Sequence, residues 1–355
     1  MKLVLLAAGF LAMACFANAQ EKEKAVEMVN EGVSYHEKGD YEGALKRYDK
    51  ALELDKDNLD ALAEKALTLL TMGKTEEAIV NCKLAIQKHP THEELKTVYV
   101  TYGNALDALK KTDESLQVYE DGLNLFPEFY QLHFNKGIAL ASVKKYEEAL
   151  LCFNKSVKYN PKHPGSHNAI ARIQDGNASK RIPALMAYMR FLVLEPESKR
   201  ATDNHKLMLA LLNGNIEKKG KKEITININS TMFADTTEDG SNKENNFATT
   251  DLILSMDAAL DYDKKHKKDT EVEKFIRKVN TMCASLSESR KDNFGFYWDY
   301  YAPYFVEMKE KGQIETFGYI AFAASGDEKV ISWIKSHKKE LTAFYEWSAR
   351  FQWPK

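Results

Sequence analysis

Apolar residues between Ala25 and Asn58 recur three and four positions apart in two runs, and a polar Lys38-Gly39-Asp40 interval separates the runs. This spacing predicts two amphipathic helices joined by a tight turn. The pattern returns with a period of about 34 residues, Ala44 to Ala78 being one step and Ser115 to Ala149 another. A helix pair of this size cannot bury its apolar side alone, so successive pairs must stack.

Five units follow one another: residues 25–58, 59–92, 96–129, 130–163 and 164–197. The third starts after a three-residue insertion, and the fifth keeps register only with one inserted residue. Small residues stand where the two helices of a unit would cross closely, at Gly32/Ala44 and Gly137/Ala149. Larger side chains such as Tyr35, Tyr48 and Phe153 are expected to fill the gap to the next unit. Pro90, Pro127, Pro161 and Pro196 are placed to end the second helices, because proline cannot continue a helix. The first unit lacks this proline, has Lys56 there, and carries Glu31 at an expected core position, which marks it as an outward-facing cap.

With Gly32, Tyr35, Ala44, Tyr48 and Ala51 in the first unit, and Gly137, Leu140, Ala149, Phe153 and Pro161 in the fourth, the array resembles tetratricopeptide repeats. The resemblance implies an α-solenoid whose first helices line a concave surface, with extended peptides or helices of other proteins as partners. Carried over by position, that groove would include Val33, Leu67, Asn104, Phe134, Asn135, Asn168 and Arg172. The amides would hydrogen-bond a peptide backbone and Phe134 would serve as an apolar anchor. Members of the family that bind chaperones grip a terminal carboxylate with Lys, Asn and Arg. The matching positions here are Val29, Val33, Glu64, Thr97 and Thr101. The cations that a carboxylate requires are missing, so that use is rejected and apolar ligand side chains are expected instead.

Beyond the repeats, residues 198–355 read as a mostly helical C-terminal domain with a short strand. Ser198–Asn213 predicts a helix closing at Gly214, and Asn215–Glu223 a solvated basic turn. Alternation of Ile224, Ile226 and Ile228 predicts a strand over 223–229 with no evident partner, followed by a mobile polar loop near 231–246. Within that loop Asp235-Thr236-Thr237 weakly resembles O-glycosylation sites of exported Bacteroidota proteins. Helical periodicity resumes at 250–262 and 271–286, the second with an apolar stripe from Val272 to Leu286. The aromatic run Phe294–Phe305 places Tyr297, Tyr301, Tyr304, Phe305 and Met308 at helical spacing, which predicts core rather than a sugar-stacking surface. Asp327 then predicts the N-cap of a helix whose apolar side runs through Val330, Ile331, Ile334, Leu341 and Phe344. This region is similar to uncharacterised C-terminal regions of Bacteroidota repeat proteins, a similarity that implies no activity.

The formal net charge of −2 gives no global case for nucleic acid or an anionic membrane surface. Met1-Lys2, the apolar run Leu3–Phe16 and Ala17-Asn18-Ala19 read as a signal peptide over residues 1–19. Export to the periplasm or beyond the cell is therefore expected, with envelope association left open. No transmembrane helix is expected elsewhere. A lipid anchor at Cys15 is not expected, because Ala12 stands where a lipobox usually has Leu. Cys82, Cys152 and Cys283 would remain after cleavage, an odd number that argues against a disulfide framework. No CxxC, HExxH, GxSxG or P-loop occurs. His163 and His167 are four apart, but Pro164-Gly165 between them breaks the helix that would align two ligands. No catalytic residue, metal site or cofactor is expected. The reading is a non-enzymatic exported protein-interaction scaffold, with glycan binding by the C-terminal aromatics as the alternative.

Overall fold

Helices α1 (Lys2–Glu37) and α2 (Tyr41–Leu54) form the first pair, joined through Gly39 in the left-handed region at φ 80°. The computed structural model describes residues 2–219, 223–227, 244–291 and 293–354, the side chains of 2–18, 178, 218, 219 and 223 excepted. Three more pairs begin in order: α3 (Leu59–Thr71) with α4 (Thr75–Lys88), α5 (Leu95–Ala108) with α6 (Thr112–Leu125), and α7 (Tyr130–Ser142) with α8 (Tyr146–Tyr159). Residue contacts divide the chain into two compact units, 1–152 and 153–355, and the division falls inside α8. The boundary read from the sequence stood at 197/198.

In the first unit the interhelix turns share one conformation. Gly39 and Gly73 take positive φ, and so do Lys110 and Lys144 at the equivalent turns of the next two pairs. Asp40 and Asn58 cap α2 and α3 by accepting the N–H groups of Gly43 and Ala61. Pro90 and Pro127 each lie two residues beyond the end of a second helix. The apolar faces close two clusters, one around Ala44, Tyr48 and Ala78 and another around Leu62, Val98, Tyr99 and Tyr119.

The large aromatic residues do not only fill the gap between units. Tyr48 lies over Gly32 and Tyr119 over Gly103, each within its own helix pair, where a Cβ on the glycine would come within 2.4 Å and 2.3 Å of the ring. Glycine at those two places lets the second helix approach until a tyrosine ring touches backbone. Glu31, expected to mark the cap, is half-buried and pairs with Arg47 at 3.0 Å.

The second unit is built around one helix. After α9 (Pro164–Asp175), α10 (Arg181–Leu194) is buried on every side from Arg181 to Val193. Such a helix belongs to the middle of a core rather than to the outer row of a solenoid. Around it stand α11 (Lys199–Asn213), capped by Ser198, then α12 (Ala248–Ala259) and α13 (Glu271–Ser289) with a Thr270/Glu273 capping box. They are followed by a π-helical turn, Tyr297–Tyr301, that runs into α14 (Ala302–Glu310). Helices α15 (Ile314–Ala321), α16 (Glu328–Ser336) and α17 (Lys338–Arg350) complete the unit.

Three expectations change here. The strand has a partner: β1 (Ile216–Lys219) pairs antiparallel with β2 (Glu223–Ile226), so part of the expected basic turn is strand. Ile228, the rest of the loop to residue 243 and Asp235-Thr236-Thr237 lie outside the described residues. The far end of that loop is fixed: Asn245 Oδ1 accepts the Tyr297 N–H at 2.8 Å, and the Asn246 carbonyl accepts Trp298 Nε1–H at 2.7 Å. Finally, the helix expected after Asp327 is two helices, because His337 leaves helical geometry at φ −111° and ψ 45°. Asp327 does cap the first of them, through the Lys329 N–H.

Candidate functional site

In the first unit α1, α3, α5 and α7 touch one another in series and make the inner row. One residue recurs at the same level of each: Val33, Leu67, Asn104 and Ile138. Their burial differs. Leu67 and Ile138 are 41% and 42% exposed, although both are large and apolar. Val33 is half-buried against the first core cluster. Asn104 is half-buried, and its Oδ1 accepts the Tyr119 hydroxyl at 2.6 Å. The amide N–H groups are what Asn104 has left to offer a ligand.

One turn earlier, half-buried Phe134 and Asn135 share the row with Leu67 and Ile138. Asn135 donates Nδ2–H to the Gln131 carbonyl of its own helix at 2.8 Å, which leaves its Oδ1 as an acceptor. Asn168 and Arg172 lie on α9 in the second unit. Arg172 is exposed, and the Asn168 Oδ1 atom is buried with no hydrogen-bond partner.

The electrostatics of the row disfavour an anionic ligand. Val29, which stands at a clamp position, is 6% exposed and belongs to the core. Thr101 turns back to donate to the Thr97 carbonyl at 3.1 Å. Glu64 is half-buried, and burial raises its carboxyl above the ordinary value while His36 nearby lowers it. A carboxylate approaching this wall meets apolar surface and a glutamate rather than lysine and arginine.

The cysteines behave as small apolar residues. Cys82, Cys152 and Cys283 are buried thiols, and burial pushes those of Cys82 and Cys283 up to about 12. His163 caps α9 through the Ser166 N–H, and His167 is buried with separate partners of its own. Among the described residues no group of three His, Cys, Asp or Glu could hold a metal ion. Within the Phe294–Phe305 run Tyr297, Trp298, Tyr300, Tyr301, Tyr304 and Phe305 are buried as core, while Phe294 is 53% exposed. Those six rings are closed to a sugar. The half-buried Trp333 is likewise covered on both faces, by Tyr319 at 3.9 Å and His337 at 4.1 Å.

The fold is thus a solenoid of helix-turn-helix repeats with a mostly helical C-terminal part. Residues 32–73 match a family model described as TPR repeat, and residues 130–163 one described as tetratricopeptide repeat. The chain therefore carries tetratricopeptide repeats. Among curated proteins, the chain is similar to the Protein STIP1 homolog of Dictyostelium discoideum. The two are 32% identical over 114 residues, which is 32% of this chain and 20% of that protein. It is also similar to Hsp70-Hsp90 organizing protein 1 of Glycine max, 26% identical over 168 residues, which is 37% of this chain and 29% of that protein. The chain thus spans between a fifth and a third of the length of these two relatives. Among solved structures, PilF of Pseudomonas aeruginosa aligns with TM-score 0.45 and 22% identity, covering 54% of this chain and 90% of that one. PilW, a type IV pilus biogenesis factor, aligns with TM-score 0.46 and 20% identity over 53% of this chain and 86% of that one. Among the described residues no helix is long and apolar enough to cross a membrane.

Proposed function

We propose that the protein is a non-enzymatic interaction scaffold whose inner repeat row holds a peptide or protein segment through apolar side chains and backbone-facing amides. The observation that carries this is the exposure of Leu67 and Ile138 at one level of α3 and α7, with the Asn104 and Asn135 amides in the same row. Large apolar side chains left in solvent in register along a concave surface favour an apolar ligand face. The absence of clamp cations separates this surface from carboxylate-gripping repeats, so the partner is bound through an internal segment. The proteins named Hsp70-Hsp90 organizing protein, to which the chain is similar over its repeats, are consistent with an adaptor role. Export to the periplasm or beyond belongs to the same proposal, on the strength of the Met1–Ala19 pattern.

The test compares immobilised wild-type chain with the triple variant Leu67→Asp, Asn135→Ala, Ile138→Asp in capture from the native envelope, read by quantitative mass spectrometry. None of these residues is buried, so the variant is expected to fold, which its thermal melt checks. Proteins enriched by the wild type should be depleted at least tenfold with the variant. Unchanged enrichment on a folded variant refutes the groove.

A further inference from the structure

Two arginines lie in the buried helix α10, and the structure treats them differently. Arg181 is met by the Asp251 carboxylate, Ser255 Oγ and the carbonyls of Leu211 and Leu212. Arg190 is 2% exposed and has no carboxylate partner among the described residues. Its guanidinium donates to Ser348 Oγ at 2.9 Å, Tyr304 Oη at 3.3 Å and the Pro161 carbonyl at 3.5 Å, and its Nε is buried without a partner. Two aromatic faces replace the missing anion: the Tyr304 ring at 5.0 Å and the Trp353 ring at 4.9 Å.

Trp353 arrives from Phe351–Pro354, the irregular segment after α17. Its ring stacks on Tyr304 at 5.0 Å, meets Tyr300 at 4.8 Å and approaches His167 at 6.4 Å, with Phe351 packed beside it at 4.9 Å. The floor under Trp353 is fixed by bonds that do not involve it. Tyr300 donates to the Val157 carbonyl at 2.6 Å, His167 lies between the Pro161 carbonyl and Tyr301, and Tyr304 bonds Ser348 at 2.9 Å. The occupant is held much less firmly. Among the described residues no backbone hydrogen bond holds Gln352 or Trp353, Pro354 has no N–H to give, and Trp353 is half-buried. By contrast the indole N–H groups of Trp298 and Trp347 are both bonded.

An aromatic socket over a buried cation, filled by a segment that beyond the Phe351 N–H bond to the Trp347 carbonyl is attached through side chains, has the form of a receptor carrying its own ligand. We propose that this socket, built by His167 of α9, Arg190 of α10, Tyr300 of the π-helical turn and Tyr304 of α14, takes an extended segment of a partner protein with two aromatic residues spaced as in Phe351-Gln352-Trp353-Pro354, in exchange for the chain's own. The site shares no residue with the inner row of the first unit. The tethered segment competes at an effective concentration of about 1 mM. If the segment, cut free as a peptide, binds the socket with a Kd of about 50 μM, that suppresses a partner's binding roughly 20-fold.

The experiment uses the full chain, wild type and Trp353→Ala, and a fluorescein-labelled peptide with the sequence of residues 349–354, followed by fluorescence anisotropy. The expected result is saturable binding to a cooperatively melting W353A chain, at least tenfold tighter than to wild type. The peptide with its Trp replaced by Ala should not bind. Leu67→Asp in the W353A chain should leave this binding unchanged, which separates failure of the socket from failure of the groove. Equal binding to wild type and W353A, or binding that ignores the peptide's Trp, overturns the proposal. So does loss of the folded state in W353A, because the segment is then core. Light scattering that shows a wild-type dimer abolished by W353A also overturns it, in favour of exchange between two copies. In the wild type, hydrogen exchange should be fast at Gln352 and Trp353 and slow along α10; equal protection of both speaks against a displaceable segment.

Discussion

Substituting Gly103 by Ala sets two effects of known size against each other. Gly103 is inside α5, and removing glycine from a helix interior is favourable by about 0.8–1 kcal/mol. Packing works the other way. A Cβ there would lie 2.3 Å from Cε1, 2.5 Å from Cζ and 2.7 Å from Cδ1 of Tyr119. The ring cannot swing aside freely, since Tyr119 is 1% exposed and its hydroxyl is bonded to Asn104. Forcing an extra methyl into a packed site costs about 1–3 kcal/mol. Displacing the ring also weakens the Tyr119–Asn104 bond, worth about 0.5–1.5 kcal/mol. The balance is a net loss of about 1–3 kcal/mol. Urea unfolding followed by far-UV circular dichroism measures it, provided the slope of the transition is unchanged. A G103A chain at least as stable as wild type would refute the close Gly–Tyr contact. In a Tyr119→Leu background the clash is gone, and the same substitution should become neutral or stabilising by up to about 1 kcal/mol.

Two further outcomes are expected. Asp251→Ala leaves the Arg181 guanidinium buried without its carboxylate, and urea unfolding should show a loss of about 3–5 kcal/mol, largely recovered in the Arg181→Met, Asp251→Leu pair. His167 carries a pH dependence: burial, with Arg190 and His163 nearby, lowers its folded pKa from 6.5 to about 3. The unfolded chain therefore takes the proton first, so this contribution is complete above pH 6.5 and is lost as pH falls toward 3. The unfolding midpoint of wild type should drop more steeply over that window than the midpoint of His167→Gln, and parallel profiles would refute the assignment.

The first four helix pairs were legible because each helix is half-buried, so one face of α2 carries Ala44, Leu45, Tyr48 and Ala51 while the other carries charge. That periodicity is what a sequence can display. The fifth pair was faint for a physical reason: α10 is buried all round, which erases the polar face that makes a period visible. β1 was invisible because Ile216-Glu217-Lys218-Lys219 has one apolar residue and no alternation. The break at His337 has no glycine or proline to announce it, and the turns at Lys110 and Lys144 take a left-handed conformation that their side chains do not suggest. The 34-residue step that carries Val33 to Leu67 lets one level of the inner helices be laid out from the sequence. What each residue does there was not legible. Asn104 looked like a free amide, and half of it is committed to a buried tyrosine fifteen residues away.

Arg181 and Arg190 show the limit most sharply. In the sequence they are equivalent, two cations nine residues apart in an otherwise apolar run, each a desolvation cost that something must offset. Arg181 is answered by a carboxylate seventy residues on, which fixes α12 against α10 and serves stability. Arg190 is answered by the Pro161 carbonyl and by hydroxyls and ring faces drawn from Tyr304, Ser348 and Trp353. Neutral partners of this kind screen a cation less completely than a carboxylate does, and one of them, Trp353, has no backbone hydrogen bond among the described residues. The buried end of the aromatic run, Tyr300 and Tyr304, meets Arg190 there under the Trp353 ring, which is why the exchange of one ligand for another is placed at Arg190 rather than at Arg181.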